Sequence, residues 1–339
     1  MCSPILLLSL PPTVRDLEVP PLFRRRFILG GYRSVGQPWQ HYMLSLFQMH
    51  NETLNVWSPL LAAVVVALRF MMFTLLGGGG VLGFRLQGPE GQGLSIDVSS
   101  MPLVLYMFSA LTYLSSSAAA HLLQPHSEHA HYSLFFLNNV GGAIYLYCCA
   151  LALYLYCADP AWTQSMLGKI FLPAAAFLSW TSCSVSCYVK VHSRWMYTFH
   201  RKLYSLTVIT VISPIAHLLA ICSWTSTQVM PLHLLQVVLS LLSAYFFSCS
   251  SPECFSPGSF DVLGHSCQLF HVLLSLCMVV QQEALFRDFL WSRPALPRLF
   301  GEEHLLLACA SILWVTFSCS LTALALRRRV QTRLTTEEA

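Results

Sequence analysis

The chain has 339 residues, of which 55% are apolar and 10% are charged, and its formal net charge is +4. An ordinary soluble domain carries about 25% charged residues, so this composition excludes an ordinary cytosolic enzyme, a disordered tail and a nucleic-acid binder. A mean hydropathy of +0.59 makes lipid the solvent for much of the chain.

At the N-terminus, the short apolar patch Ile5 to Leu10 has no basic stretch before it and ends at Pro11-Pro12. It does not read as a signal peptide, so the first membrane helix is expected to set insertion. A hydrocarbon core of about 30 Å needs roughly 20 apolar residues in a helix. Eight stretches qualify: Val56–Leu76, Met101–Leu123, Tyr132–Tyr156, Ile170–Val189, Leu203–Cys222, Pro231–Cys249, Gly264–Glu283 and His304–Leu326. Backbone groups in lipid must be satisfied within the segment, so these stretches are helices. The predicted fold is all-α, a polytopic membrane protein of eight helices. Residues 1–55 form an N-terminal segment, 56–326 the membrane domain and 327–339 a basic tail.

Before the first helix, Asn51-Glu52-Thr53 matches a glycosylation sequon. Within that helix, Arg69 must snorkel or pair inside the bundle. The Gly77–Gly80 run after it lacks the Lys-Ser/Thr ending of a phosphate loop and reads as a flexible connector. The second stretch carries Ser117 and His121 near its end, and the third carries Asn138 and Asn139 in its early turns. The fourth leads into Lys190, Arg194, Arg201 and Lys202, and the eighth runs into Arg327, Arg328, Arg329 and Arg333. With the N-terminus inside, thirteen basic residues fall on the inner side and five on the outer. That asymmetry predicts cytosolic N- and C-termini, and leaves the sequon unglycosylated. Nine of the 13 cysteines sit in apolar runs, where cysteine is most simply a small apolar side chain.

This threading brings the polar residues of the second, third and seventh stretches to one depth in the cytosolic leaflet. The seventh stretch opens on His265, Cys267, Gln268 and His271. Ser117 and His121 share a helix face, as do Cys267 and His271, because each pair is spaced i and i+4. Two ligands about 6 Å apart along the axis can grip one metal. His265 points to another face. Adding His121 to Cys267 and His271 gives two imidazoles and one thiolate, with a fourth position open, which is the pattern of an open zinc site. The plainer alternative for each residue alone is a polar contact between helices.

Several stretches resemble the progestin and adipoQ receptor family, and within it the alpha and beta subtypes of the membrane progestin receptor branch. They are Val19–Phe23, Gly31–Arg33, Phe47–Trp57, Ser117–His121, Phe171–Phe177, Ile212–His217, Ser243–Cys249, Pro257–Ser259 and Gly264–His271. The resemblance implies a seven-helix bundle plus an eighth C-terminal helix and a plasma-membrane steroid receptor. It also implies rapid signalling through a heterotrimeric G protein, and zinc held by one histidine of the second helix and two of the seventh. The wider superfamily includes lipid-amide hydrolases in which zinc activates a water. This chain departs from the pattern. It has Asn138 and Asn139 where the family has Asp and Tyr, and Cys267 where it has a histidine ligand. It reads Trp57-Ser58-Pro59 for Trp-Thr-His, and Val211 stands where Asp is expected. Asn138 cannot exchange a proton near neutral pH, which argues against efficient hydrolysis.

Two functions follow. In the first, the bundle binds a progestin-like steroid. That ligand is flat and apolar with terminal carbonyls, and one or two donors would orient it. Gln268, Tyr145, Tyr147 and His217 are the candidates. In the second, zinc on His121, Cys267 and His271, with Ser117 and Asn138 nearby, hydrolyses a ceramide-like lipid amide drawn from the membrane. A rhodopsin-type receptor is disfavoured, because the chain has neither a DRY-like third-helix end nor an NPxxY seventh helix. The basic loop after the fourth stretch and the basic tail read first as a positive-inside topology signal, and otherwise as a contact for a G protein or anionic membrane lipids.

Overall fold

In lipid a long uncharged run closes its hydrogen bonds upon itself, and the computed structural model folds these runs accordingly. It describes residues 10–76, 82–87, 91–157, 160–192 and 229–338. Seven long helices are present among them: α1 (Thr53–Leu76), α2 (Met101–Leu123), α3 (Glu128–Tyr156), α4 (Met166–His192), α5 (Met230–Ser248), α6 (Ser266–Ser292) and α7 (Glu302–Glu338). All seven are long and apolar enough to cross a membrane, and the chain is a multi-pass membrane protein. They correspond to seven of the eight predicted stretches. The remaining one, Leu203–Cys222, lies outside the described residues.

Two helices run further than their apolar cores. Helix α6 continues to Ser292 because its charges are paired: Glu283 binds Arg69 of α1 and also Arg287, one turn on, at 2.8 Å. Of the two fates open to Arg69, the structure shows pairing within the bundle. Helix α7 passes through Arg327–Arg329 to Glu338, since arginine is a good helix former once the helix has left the apolar run. Pro59 and Pro173 lie inside α1 and α4, where neighbouring helices make prolines tolerable. Between α1 and α2 stands an antiparallel hairpin, β1 (Leu82–Gln87) and β2 (Gly91–Ile96), with Leu82 opposite Ile96. Strands this short leave no trace in a pattern of long apolar runs.

Successive helices pack side by side from α1 to α4, α6 closes against α1, α5 lies on α6, and α7 packs on α3 and α4. Helix α3 is therefore the central one, and every residue from Tyr147 to Tyr156 is buried. A helix with neighbours all round has no polar face to show, which suits a sequence this apolar.

Residues 10–52 fold across one end of the bundle, called here the proximal end. Val14 and Tyr32 form an isolated antiparallel bridge. The Tyr42 hydroxyl donates to the Pro125 carbonyl at 2.9 Å. Arg33, only 6% exposed, donates to the carbonyls of His121 and Leu122 at 2.7 Å each. These are carbonyls that the end of α2 leaves without helical partners. Gly31 adopts φ +75°, where the Asn51 amide donates to its carbonyl at 2.8 Å. A Cβ there would meet the Asn51 nitrogen at 3.3 Å as well as the wrong half of the Ramachandran map.

Candidate metal centre

At the proximal end, α2 and α6 bring His121, Cys267 and His271 together. One ligand atom from each lies within 4.8 Å of the others. The i, i+4 spacing in α6 puts Cys267 and His271 on one face, and His121 approaches from the last turns of α2. The His121 and His271 rings meet edge to face at 4.6 Å. His121 and His271 are 3% and 5% exposed, and Cys267 is half-buried. Two imidazole nitrogens and one sulfur form a donor set that suits zinc.

The ring of His121 is held from behind. Its Nδ1 donates to Glu52 Oε2 at 2.8 Å, leaving Nε2 as the donor atom toward the cluster. Glu52 is itself buried, with Arg25 Nε on its Oε1 at 2.8 Å and Asn55 Nδ2 on its Oε2 at 2.5 Å. Burial pushes the Glu52 carboxyl up, but Arg25 and His121 outweigh it and hold the group well below the usual carboxylate range. Glu52 is therefore a buried anion at neutral pH. Burial likewise opposes the charge on Arg25, yet Cys267 and Glu52 hold its pKa above the ordinary value. His50, next to this group, accepts the Glu52 amide on Nδ1 at 3.0 Å. Burial first, and then the Arg33 charge, lower His50 to about 3, so it is neutral.

His265 stands apart, with its Nε2 bonded to the Asn51 carbonyl at 2.9 Å. This agrees with its different helix face. Asn51 is 3% exposed, so its sequon has no room for a glycan. The Ser117 hydroxyl, one turn before His121, and Asn138 Oδ1 are buried atoms with no hydrogen-bond partner among the described residues. Asn139 donates to Cys187 Sγ at 3.6 Å.

The three described candidates for orienting a ligand are not brought to one point. Gln268 uses both ends of its amide: Oε1 accepts from Gly264 at 2.7 Å, and Nε2 donates to Val262 at 2.8 Å and Asn51 at 3.1 Å. It ties the loop before α6 to the N-terminal segment. The Tyr145 hydroxyl donates to Gln281 Oε1 at 2.8 Å, and its ring stacks on Tyr113 at 5.6 Å. Tyr147 bonds Ser311 of α7. His217 lies outside the described residues.

Sequence reasoning found the three converging side chains but missed Glu52, Arg25 and Arg33. Glu52 was read only as part of a sequon and a signature. A carboxylate set directly before a long uncharged helix was the available signal. Among the described residues, the cysteines of the apolar runs form no disulfides.

The comparisons with known proteins agree with this architecture. A profile of Haemolysin-III related proteins matches residues 47–282. The chain is 40% identical to the human protein named membrane progestin receptor beta, over 98% of this chain and 91% of that one. It is also 40% identical to membrane progestin receptor alpha of Cynoscion nebulosus, over 96% and 90% of the two chains. With membrane progestin receptor alpha of Sus scrofa it shares 42% identity over 83% and 77%.

Proposed function

The chain belongs to the Haemolysin-III related family, that of the progestin and adipoQ receptors, and from that premise we propose that it is a plasma-membrane receptor for a progestin-like steroid. The observation that carries this reading is the identity of 40% across 98% of the chain to a protein named for progestin binding. Coverage that complete includes α7, which lies beyond the end of the family profile. Both termini are cytosolic in this reading, which puts the proximal end on the cytosolic side.

His121, Cys267 and His271 would hold zinc, which when bound would supply Lewis acidity and lower the pKa of a coordinated water. The chain's own residues favour an organising role. Glu52 fixes the His121 ring, and Arg25 neutralises Glu52. Asn138 offers an amide where proton exchange would need an acid. By holding the ion, His121, Cys267 and His271 would tie α2 to α6 at the cytosolic end, with Glu52 linking the N-terminal segment to them. Tyr145 is the candidate for orienting the steroid, because its hydroxyl, which donates to Gln281 beside the Tyr113 ring, is a donor that a ketone oxygen would accept from. Signalling passes to a heterotrimeric G protein through the basic end of α7. Lys190 is less suited to that contact, because its ammonium sits 3.8 Å from the Phe135 ring centre. The same basic residues suit anionic membrane lipids.

A second reading, zinc-dependent hydrolysis of a ceramide-like amide, is favoured by one observation: the unpaired Ser117 hydroxyl one turn from His121. Membranes from cells expressing the chain separate the two. The receptor reading expects saturable progestin binding and no fatty-acid release from ceramide. Chelator-sensitive release of fatty acid that is lost with His271→Ala, without saturable steroid binding, would establish the hydrolase instead.

A further inference from the structure

A second group of metal-binding side chains lies at the opposite, distal end of the bundle. Cys157 follows the last turn of α3, His233 lies in the first turn of α5, and Asp288 lies near the end of α6. One ligand atom from each falls within 4.8 Å of the others. Asp288 is 22 residues beyond the start of α6, so this cluster is about 30 Å from the His121 group along the helix axis. None of the three residues shares a helix with another, so no local turn forces them together.

We propose that Cys157, His233 and Asp288 form a second zinc site, independent of the proximal centre. Four observations carry the assignment. The donor set of one thiol, one imidazole and one carboxylate matches zinc chemistry. The separations suit a single ion: His233 Nε2 is 3.0 Å from Asp288 Oδ2 and 3.7 Å from Cys157 Sγ. Tetrahedral zinc with bonds of about 2.0–2.3 Å sets neighbouring ligand atoms roughly 3.3–3.8 Å apart. The cluster is also closed from bulk solvent, with exposures of 7%, 1% and 9% for Cys157, His233 and Asp288.

The fourth observation separates a metal site from a plain ion pair. Asp288 Oδ2 faces the His233 ring at 3.0 Å, yet it has no hydrogen-bond donor, and His233 Nδ1 likewise has no hydrogen-bond partner. A buried carboxylate needs a cation or a donor. Of the two arginines nearest in sequence, Arg287 binds Glu283 and Arg293 binds Asp97. A divalent ion seated among the three ligand atoms supplies the missing charge. With both termini cytosolic, this end faces the extracellular side, and zinc would reach the site from there. By tying α3, α5 and α6 together it would clamp the distal end as the His121 group clamps the proximal one.

The test is zinc stoichiometry on the purified, monodisperse full chain, equilibrated with micromolar zinc and then desalted. His233→Ala should lose one zinc per chain relative to wild type, and His121→Ala should leave that ion in place. The loss is read whatever the proximal centre holds, so its outcome is distinguishable from failure of the receptor reading. Equal zinc in wild type and folded His233→Ala would overturn the proposal and leave an ordinary ion pair. If His233→Ala does not fold, the near-isosteric Asp288→Asn serves as the second variant. Cobalt offers an independent readout. In a His271→Ala background, cobalt-loaded protein should show a thiolate-to-cobalt absorption band that Cys157→Ser removes. Absence of that band, or its survival in Cys157→Ser, would equally overturn the site.

Discussion

Replacing Glu52 by Gln probes the account most sharply, because the substitution keeps the shape and removes only charge and one acceptor. Glu52 Oε1 receives Arg25, while Oε2 receives both His121 and Asn55. An amide has one oxygen, so its NH2 must face a donor on one side or the other. If it faces Arg25, a guanidinium loses its anion. If it faces His121, the ring loses the partner that fixes its tautomer. The Glu52 and His121 side chains are 5% and 4% exposed, so water does little to compensate. Breaking one partner of a buried pair costs about 3–5 kcal/mol. Arg25 is 28% exposed and can recover some hydration, which favours the lower end, about 3 kcal/mol. That corresponds to an apparent melting temperature lower by roughly 5–10 °C. Losing the group that orients a metal-binding histidine weakens metal affinity about 10–100-fold. The assays are thermal unfolding in detergent and competition of bound zinc against a chelator. A Glu52→Gln protein with wild-type melting and wild-type zinc retention would refute the reasoning.

Arg33→Met keeps the side chain's length and removes its bonds to the His121 and Leu122 carbonyls and to Ser45. Bonds from a charged donor contribute about 1.5–3 kcal/mol each, so protease sensitivity of residues 10–52 should rise sharply; an unchanged digestion pattern would deny Arg33 its capping role. Unfolded, His50 takes a proton below its ordinary value of 6.5, whereas in the fold it resists until about 3. Acidification between those values therefore favours the unfolded state. Melting temperature should fall between about pH 7 and about pH 5, and His50→Asn, which keeps an acceptor for the Glu52 amide, should flatten part of that slope. At the proximal centre, Cys267→Ser should weaken zinc binding because a hydroxyl is a poor ligand, whereas Cys267→His should retain it. Equal zinc retention by Cys267→Ser and wild type would remove Cys267 from the ligand set.

How much of this was legible in the sequence depends on how local each signal is. Helix α2 was bounded correctly as Met101–Leu123 because an uncharged run stops at Gln124-Pro125. The end of α6 was placed too early, since Glu283, Arg287 and Asp288 look like an exit from lipid until their partners are known. Their surroundings include Arg69, which pairs with Glu283, and the ring of His233, which faces Asp288, both on other helices. His121, Cys267 and His271 were found because i, i+4 spacing and a shared depth are properties of periodicity and threading. Glu52 escaped because its significance comes from Arg25, 27 residues before it, and His121, 69 residues after it. Cys157, His233 and Asp288 escaped for the same reason: each is a single polar residue near a helix end, with no spacing pattern to join them.

The central claim is recognition of a progestin-like steroid by this chain itself. Equilibrium dialysis of the purified full-length protein against a labelled progestin tests it without cells or partners. The account predicts saturable binding near one steroid per chain, displaced by unlabelled progestin and present with no fatty-acid release from ceramide. Folded, zinc-containing protein that shows no saturable steroid binding would contradict it.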